Sequence, residues 1–391
     1  MAEDYGPVYG SKNSEIGIPS IGYLDWYVPR LEEKRPHNLS FSGMQYDWDV
    51  KNIMKDSIYQ VANQHLGNLR DPRVNISIRE KIDINRIVIC NGATQGLHIA
   101  LCAALAKNEN KNVTIAVESP CYAPLVQSPQ LFNHHVININ RRQPENNHGF
   151  WRIDKQQWLE AIRKCAILMI SPILNPSGWD YHPEDRNWIV DTCKKNDVII
   201  IADEVYSDSK RNHEDYVPFH QLGDNCISIN SLTKIYSLGT LRFGWIIASP
   251  QIAEQARRAF ITLGGIMGSP TLRIADSVFP HLDNVLHKVE EYRQKNLPLL
   301  RSLLEKFNIT WNEPPYGIFG SFRLPYGINS MKFIDDECKE YGVLLVPCNM
   351  FDDGFDDWVR IAWSIEPKLF QEAVINLEKA LNLAISKKTS Q

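Results

Sequence analysis

With 391 residues, 43% of them apolar and 23% charged, the chain has the length of two to three domain-sized units and the composition of a globular protein. A formal net charge of −4 and the lack of a long basic run give nucleic acid no electrostatic footprint. No apolar stretch approaches the roughly 20 residues of a membrane-spanning helix, no His/Cys cluster has zinc spacing, and the polar start Met1-Ala-Glu-Asp-Tyr-Gly6 is no signal peptide. No metal and no membrane is therefore expected, and a cytoplasmic location is. The cysteines at 90, 102, 121, 165, 193, 226, 338 and 348 form no Cys-x-x-Cys pair and several sit in apolar runs, so they read as reduced core thiols.

Residues 1–45, rich in Gly, Pro and aromatics, read as an extended leading segment. Asp49 to His65 has the pattern of an amphipathic helix. Ile87 to Cys90 reads as a buried strand, Ala93 to Ala106 as a helix, and Val113 to Val117 as a second strand. Ala166 to Ile170, Val198 to Ala202 and Cys226 to Ile229 are three further short, continuous, apolar runs, as a sheet covered on both faces requires. Pro183 to Lys195 supplies a helix with Ile189, Val190 and Cys193 on one face. Strands alternating with helices predict an α/β domain with a mostly parallel central sheet. Residues 277–306 read as a long helix interrupted by Pro298. Ile318 to Arg323 and Val343 to Val346 read as strands, Trp358 to Trp363 as an alternating half-buried strand, and Pro367 to Ile385 as a closing helix. The expected organisation is a large domain over 46–290, a smaller α+β domain over 291–391, and a segment 1–45 that joins the small domain.

Several polar groups stand just after the predicted strands, at the carboxyl ends where open α/β sheets bind ligands. Lys234 lies in Ser231-Leu-Thr-Lys234, with Arg242 eight residues on. Asp203 follows the run 198–202 and is followed in turn by Tyr206. Asn175-Pro-Ser-Gly178 follows the strand ending at Ile170, and Gly92-Ala-Thr94 separates a strand from a helix. Tyr122, in Glu118-Ser-Pro-Cys-Tyr122, follows another strand. A lysine amine can capture an aldehyde, and a carboxylate beside a pyridine nitrogen keeps it protonated. Backbone N–H groups at a helix start, a hydroxyl and an arginine hold a phosphate. An arginine such as Arg360 grips a carboxylate through its planar fork. Those are the demands of pyridoxal phosphate (PLP) chemistry. Each residue alone has a plainer reading: Asp203 as a turn cap, Asn175-Pro as a turn, Arg360 in a structural ion pair.

Taken in order, these segments resemble the class I/II aminotransferases, the aspartate aminotransferase-like PLP enzymes of fold type I, from about residue 36 to 385. The resemblance implies a Schiff-base lysine at Lys234, a partner for the pyridine nitrogen at Asp203, and phenolic-oxygen donors at Asn175 and Tyr206. Lys234, Asp203 and Tyr206 would be the catalytic residues. It implies stacking by Tyr122 and a phosphate site made by Gly92, Ala93, Thr94, Ser231 and Arg242. Arg360 would bind the substrate carboxylate, with Gly43 nearby and Asn175 shared. It further implies transfer of an α-amino group from an amino acid to a 2-oxo acid with ping-pong kinetics, in a homodimer. The same scaffold also supports lyase chemistry, by β-elimination of sulfur amino acids or cyclopropane-forming elimination, and regulators that carry an added DNA-binding domain. Only about 35 residues precede the matching region, too few for such a domain.

The sequence departs from the family pattern at Val346-Pro-Cys348-Asn-Met350 and at Tyr316-Gly-Ile-Phe319, both expected near the substrate. Tyr59 is a loose candidate for the family's tyrosine that reaches the partner subunit's phosphate. Tyr23, Trp26 and Tyr27 lie where the family borders its substrate and hint at an apolar or aromatic amino acid. Ser231-Leu-Thr-Lys234 also matches the Ser-x-x-Lys of penicillin-binding enzymes, but the Ser-Asp-Asn and Lys-Thr-Gly tripeptides that reading needs are absent from the sequence.

Overall fold

The computed structural model describes residues 21–54, 60–61, 70–106, 113–144 and 148–389. In chain order its strands are β1 (His37–Asn38), β2 (Ile87–Cys90), β3 (Thr114–Ser119), β4 (His135–Arg142), β5 (Arg152–Ile153), β6 (Ile167–Ile170), β7 (Ile199–Asp203), β8 (Cys226–Ser231) and β9 (Gly244–Ile247). They continue with β10 (Phe319–Arg323), β11 (Val343–Leu344), β12 (Val346–Pro347) and β13 (Trp358–Ala362).

Eight of these form one sheet in the order β2-β9-β8-β7-β6-β3-β4-β5. β4, β3, β6, β7 and β8 run parallel, and β9 is antiparallel to both of its neighbours, β8 and β2. Every residue of β6, β7 and β8 is buried, and β6 and the run Ile199–Ala202 of β7 are accordingly apolar without alternation, while β8 carries Ser228, Asn230 and Ser231 among its apolar residues. Strand direction then fixes where the polar groups go. The carboxyl ends of β2, β3, β6, β7 and β8 share one edge of the sheet, and the antiparallel β9 begins at that edge. Gly92, Tyr122, Asn175, Asp203, Lys234 and Arg242 therefore converge from five connections, the last two sharing the one between β8 and β9.

A second apolar core gathers β10, β12, β13, the helix Pro367–Thr389 and the aromatics Tyr23, Trp26 and Tyr27. β13 is the centre of an antiparallel β10-β13-β12 sheet, with Arg360 opposite Ser321 on one side and Val346 on the other. The helix Leu282–Lys306 serves both cores: Leu282, Val285, Leu286 and Val289 pack in the first, Leu297, Leu300, Leu303 and Leu304 in the second.

Some predicted elements differ. The leading segment is not extended throughout, because Gly22–Glu32 is a helix. Tyr23, Trp26 and Tyr27 stand three and four residues apart and so share its buried face. Pro298 does not interrupt its helix, which runs unbroken from Leu282 to Lys306; the break lies earlier, at the turn Phe279–His281. The helix expected from Asp49 covers Val50–Ile53 and stops at Met54, whose backbone is extended. The rest of that span, including Tyr59, lies largely outside the described residues. The run 343–346 is two short strands separated at Leu345, each with a different partner.

Candidate active site

Lys234 sits two residues past a tight turn that closes β8. The Ser231 hydroxyl accepts the Thr233 N–H at 3.3 Å, and the Ser231 N–H donates to Asn230 Oδ1 at 2.7 Å. The Lys234 carbonyl accepts the Met44 N–H at 2.7 Å, which fastens the segment 39–45 alongside. Its amine donates to Ser42 Oγ at 2.8 Å and stands 6.0 Å from the centre of the Tyr206 ring. Burial lowers the amine's pKa from the ordinary lysine range; Arg360 and Arg242 push the same way, against Tyr23 and Asp203.

Asp203 ends β7, buried, with the Val205 N–H reaching its Oδ1 at 3.4 Å. No arginine or lysine pairs with it among the described residues. Burial raises its pKa to about 6, against the Val205 hydrogen bond and the charge of Lys234. Tyr206 is buried edge-on to Phe319, ring centres 4.9 Å apart, and burial pushes its phenol up to about 12, against the charge of Arg360. Tyr122 packs against both cores at the mouth of the same edge.

Gly92 opens the helix Gly92–Leu105 with φ +79, and a Cβ there would stand 2.5 Å from the Arg242 guanidinium. The arginine thus lies against the helix start, and only glycine leaves it room. Asn91 makes no side-chain cap, so the first-turn N–H groups of Gly92, Ala93 and Thr94 face the same space. The Arg242 guanidinium donates weakly to the Gly239 carbonyl at 3.3 Å and pairs with no carboxylate among the described residues. A cation beside an uncapped helix start is a site for an anion.

Arg360 is completely buried, and its guanidinium binds only neutral oxygens: Asn175 Oδ1 at 2.8 Å, the Ser40 carbonyl at 2.7 Å and the Tyr23 hydroxyl at 3.4 Å. Its Nε has no partner. The rings of Tyr23, Phe319 and Phe351 stand 5.8, 5.3 and 5.4 Å from it. No carboxylate pairs with it among the described residues, so the ion-pair reading of this arginine does not hold. A buried charge in this state is costly until an anion arrives. The chain's two departures lie beside it: Phe319 ends the Tyr316–Phe319 segment, and Phe351 follows the Val346–Met350 turn.

Residues 66–377 match the family described as aminotransferase class I and II. The chain belongs to that family. Methionine aminotransferase of Escherichia coli is 22% identical over 340 residues, 85% of this chain and 83% of its own length. Aspartate aminotransferase of Thermotoga maritima is 25% identical over 388 residues, covering 94% and 98%. A PLP-dependent aminotransferase from Streptococcus suis superposes with a TM-score of 0.81 over 94% of this chain and 99% of its own, at 20% identity. The chain is thus an enzyme of amino-group transfer with the type I fold, and its family implies PLP.

In this aminotransferase, sequence reasoning passed over three sets of residues. Ser42 is the direct partner of the Lys234 amine, although the neighbouring Gly43 was the residue singled out; the Gly43 carbonyl instead accepts the Ser364 hydroxyl at 2.8 Å. The only signal in the sequence was proximity to that glycine. Tyr23 reaches Arg360, foreshadowed by its aromatic segment. Arg141, buried on β4, ties down the Asn175 loop by donating to the carbonyls of Ser171, Pro172 and Trp179 at 3.3, 3.0 and 2.8 Å, with Glu118 beside it at 3.0 Å. Nothing in a lone arginine announces that. A surface cavity of about 590 Å³, lined by Arg79, Glu80, Arg211 and Tyr216 among others, contains none of the site residues.

Proposed function

We propose that this aminotransferase holds PLP at the sheet edge and moves the α-amino group of an amino acid to a 2-oxo acid, with Lys234 as the amine that binds the cofactor and carries the proton. One observation carries the reading: a fully buried arginine, Arg360, with no carboxylate paired to it among the described residues, at the same site as a buried acid, a lysine and an uncapped helix start beside Arg242. When bound, the cofactor supplies an aldehyde that captures amino groups and a ring that accepts negative charge from the substrate's α-carbon.

The residues present fit that group. The Lys234 amine, kept neutral more easily by burial, would hold the cofactor through its aldehyde and, when free, would take up a proton. Asp203, once a protonated ring nitrogen meets it, gains the counter-charge it otherwise lacks. Asn175 and Tyr206 would hold the phenolic oxygen, and Tyr122 would cover the ring. Gly92, Ala93, Thr94, Ser231 and Arg242 would hold the phosphate. Arg360 binds the carboxylate of amino acid and oxo acid alike, and the adjoining Gly43 segment borders it. The Arg360 fork also keeps Asn175 oriented, so substrate and cofactor contacts share one hydrogen bond.

We extend the reading to an apolar or aromatic side chain, which the rings of Tyr23, Phe319 and Phe351 around Arg360 support. The same reading takes the two cores as a large domain over 46–290 and a small one over 291–391 with residues 1–45 attached. It places the enzyme in the cytoplasm, where its eight free cysteines stay reduced, and makes it a homodimer. It favours transfer over elimination, as the relatives' names do. Borohydride reduction of the loaded protein followed by peptide mapping should leave the pyridoxyl group on Lys234, and Lys234→Ala should lose nearly all turnover while staying folded. Label on another lysine would end the reading. A panel of amino donors and oxo acids, with both products measured, tests transfer and side-chain class together.

A further inference from the structure

The segment Leu39–Met44 is fastened at both ends: the Leu39 carbonyl accepts the Ala362 N–H at 2.8 Å, and the Met44 N–H donates to the Lys234 carbonyl at 2.7 Å. Ser40 gives its carbonyl to Arg360 at 2.7 Å, and Ser42 gives its hydroxyl to the Lys234 amine at 2.8 Å. Ser42 is itself buried, and the Lys234 amine that it accepts stands 6.0 Å from the centre of the Tyr206 ring.

A hydroxyl has one proton to donate and two lone pairs to accept with. An N–H of Lys234 donates to Ser42 Oγ at 2.8 Å, which leaves the Ser42 proton free of that contact. A neutral amine has a single lone pair, and holding one N–H restricts where that pair points.

We propose that Ser42 is a positioning residue for the proton-transfer step, aligning the free Lys234 amine. The inference rests on the Lys234 assignment above. Ser42 neither gains nor loses a proton in this role. Its position is set by backbone pairing on both sides, at Leu39 and at Met44.

The test compares Ser42→Ala with Ser42→Thr, which keeps the hydroxyl, in the loaded and the cofactor-free protein. Misplacing a proton carrier costs on the order of 10- to 100-fold, so Ser42→Ala should lower kcat by about that factor with KM nearly unchanged. It should also raise the isotope effect with α-deuterated amino acid. Ser42→Thr should recover most of the rate. In the cofactor-free protein, Tyr23, Asp203, Tyr206, Arg242 and Arg360 all face or influence Lys234. Against that fixed background, an acceptor favours the ammonium form over the neutral amine. Removing it should speed labelling of Lys234 by an amine-reactive reagent at neutral pH by roughly ten-fold. Should Ser42→Ala not fold, Ser42→Cys, a poorer acceptor of nearly the same shape, should move the same quantities in the same direction by less. Unchanged kcat, isotope effect and labelling rate in a folded Ser42 variant would overturn the proposal while Lys234 still carries the pyridoxyl group. A pyridoxyl group on a different lysine would instead remove the assignment on which it stands.

Discussion

Arg141 and Arg360 are both shut away from water, and they differ in what balances them. Arg141 has Glu118 at 3.0 Å, three loop carbonyls and the face of Tyr181 at 3.9 Å. Arg360 has an amide, a carbonyl and a phenol, and no carboxylate among the described residues. Burial alone therefore does not separate scaffold from site. The state of charge balance does: a matched buried ion holds structure, and an unmatched one is poised for a ligand of opposite sign. Asp203 makes the same point with the sign reversed, a buried acid with no arginine or lysine paired to it among the described residues.

The comparison breaks most visibly at Glu118. Glu118→Gln leaves Arg141 buried without its counter-charge, and unfolding titrations should show a loss of about 3–5 kcal/mol. Replacing both partners, Glu118→Gln with Arg141→Met, should restore much of that loss. Arg360 should behave oppositely. Arg360→Lys keeps the charge but not the fork, so kcat/KM for amino acids and oxo acids should drop by roughly 100-fold, with little change in stability or cofactor absorbance. Lower melting temperature with unchanged Michaelis constants would make Arg360 a scaffold residue after all.

Asp203 gives a smaller effect with a definite pH window. In the cofactor-free protein its pKa is raised to about 6. The stability given by its neutral form is therefore present below about pH 4 and lost as pH rises through the folded value. Thermal melts of Asp203→Asn should thus gain on wild type between pH 4.5 and 7.5, by about 2 kcal/mol at most. A constant difference across that range would show that Asp203 titrates normally. The same variant, once loaded, should lose most of its turnover. The smallest change belongs to Arg242→Lys. Cofactor affinity, followed by absorbance titration, should weaken about ten-fold, while both Michaelis constants hold.

Much of this was legible in the sequence because local chemistry and strand direction coincide. The apolar runs ending at Ile170, Ala202 and Ile229 are strands, and the polar residues after them fall at one edge since those strands are parallel. β4 escaped notice because it lies near the sheet margin and alternates, with Asn138, Asn140 and two arginines among its apolar residues. β9 escaped because Gly244–Ile247 is short and follows directly on the phosphate-site candidates. The helix 22–32 was hidden by Gly and Pro around a periodic aromatic face. The partners of Arg360 and Lys234 were hidden for a different reason. Ser40, Ser42 and Tyr23 meet those residues only through tertiary packing, and a lone serine carries no pattern of its own.

The Ser40 carbonyl and Arg360 are 320 residues apart in the chain, and Ser42 and Lys234 are 192 apart. In terms of folding, the site is closed by contacts of very long range, the kind that form slowly and late. During synthesis, Ser40 and Ser42 emerge before the sheet and wait for partners that come after it. A chain halted before β13 would carry every residue assigned here to the cofactor and lack the one assigned to the substrate carboxylate. Truncated products of this enzyme should therefore be sought among proteins that bind the cofactor and turn nothing over.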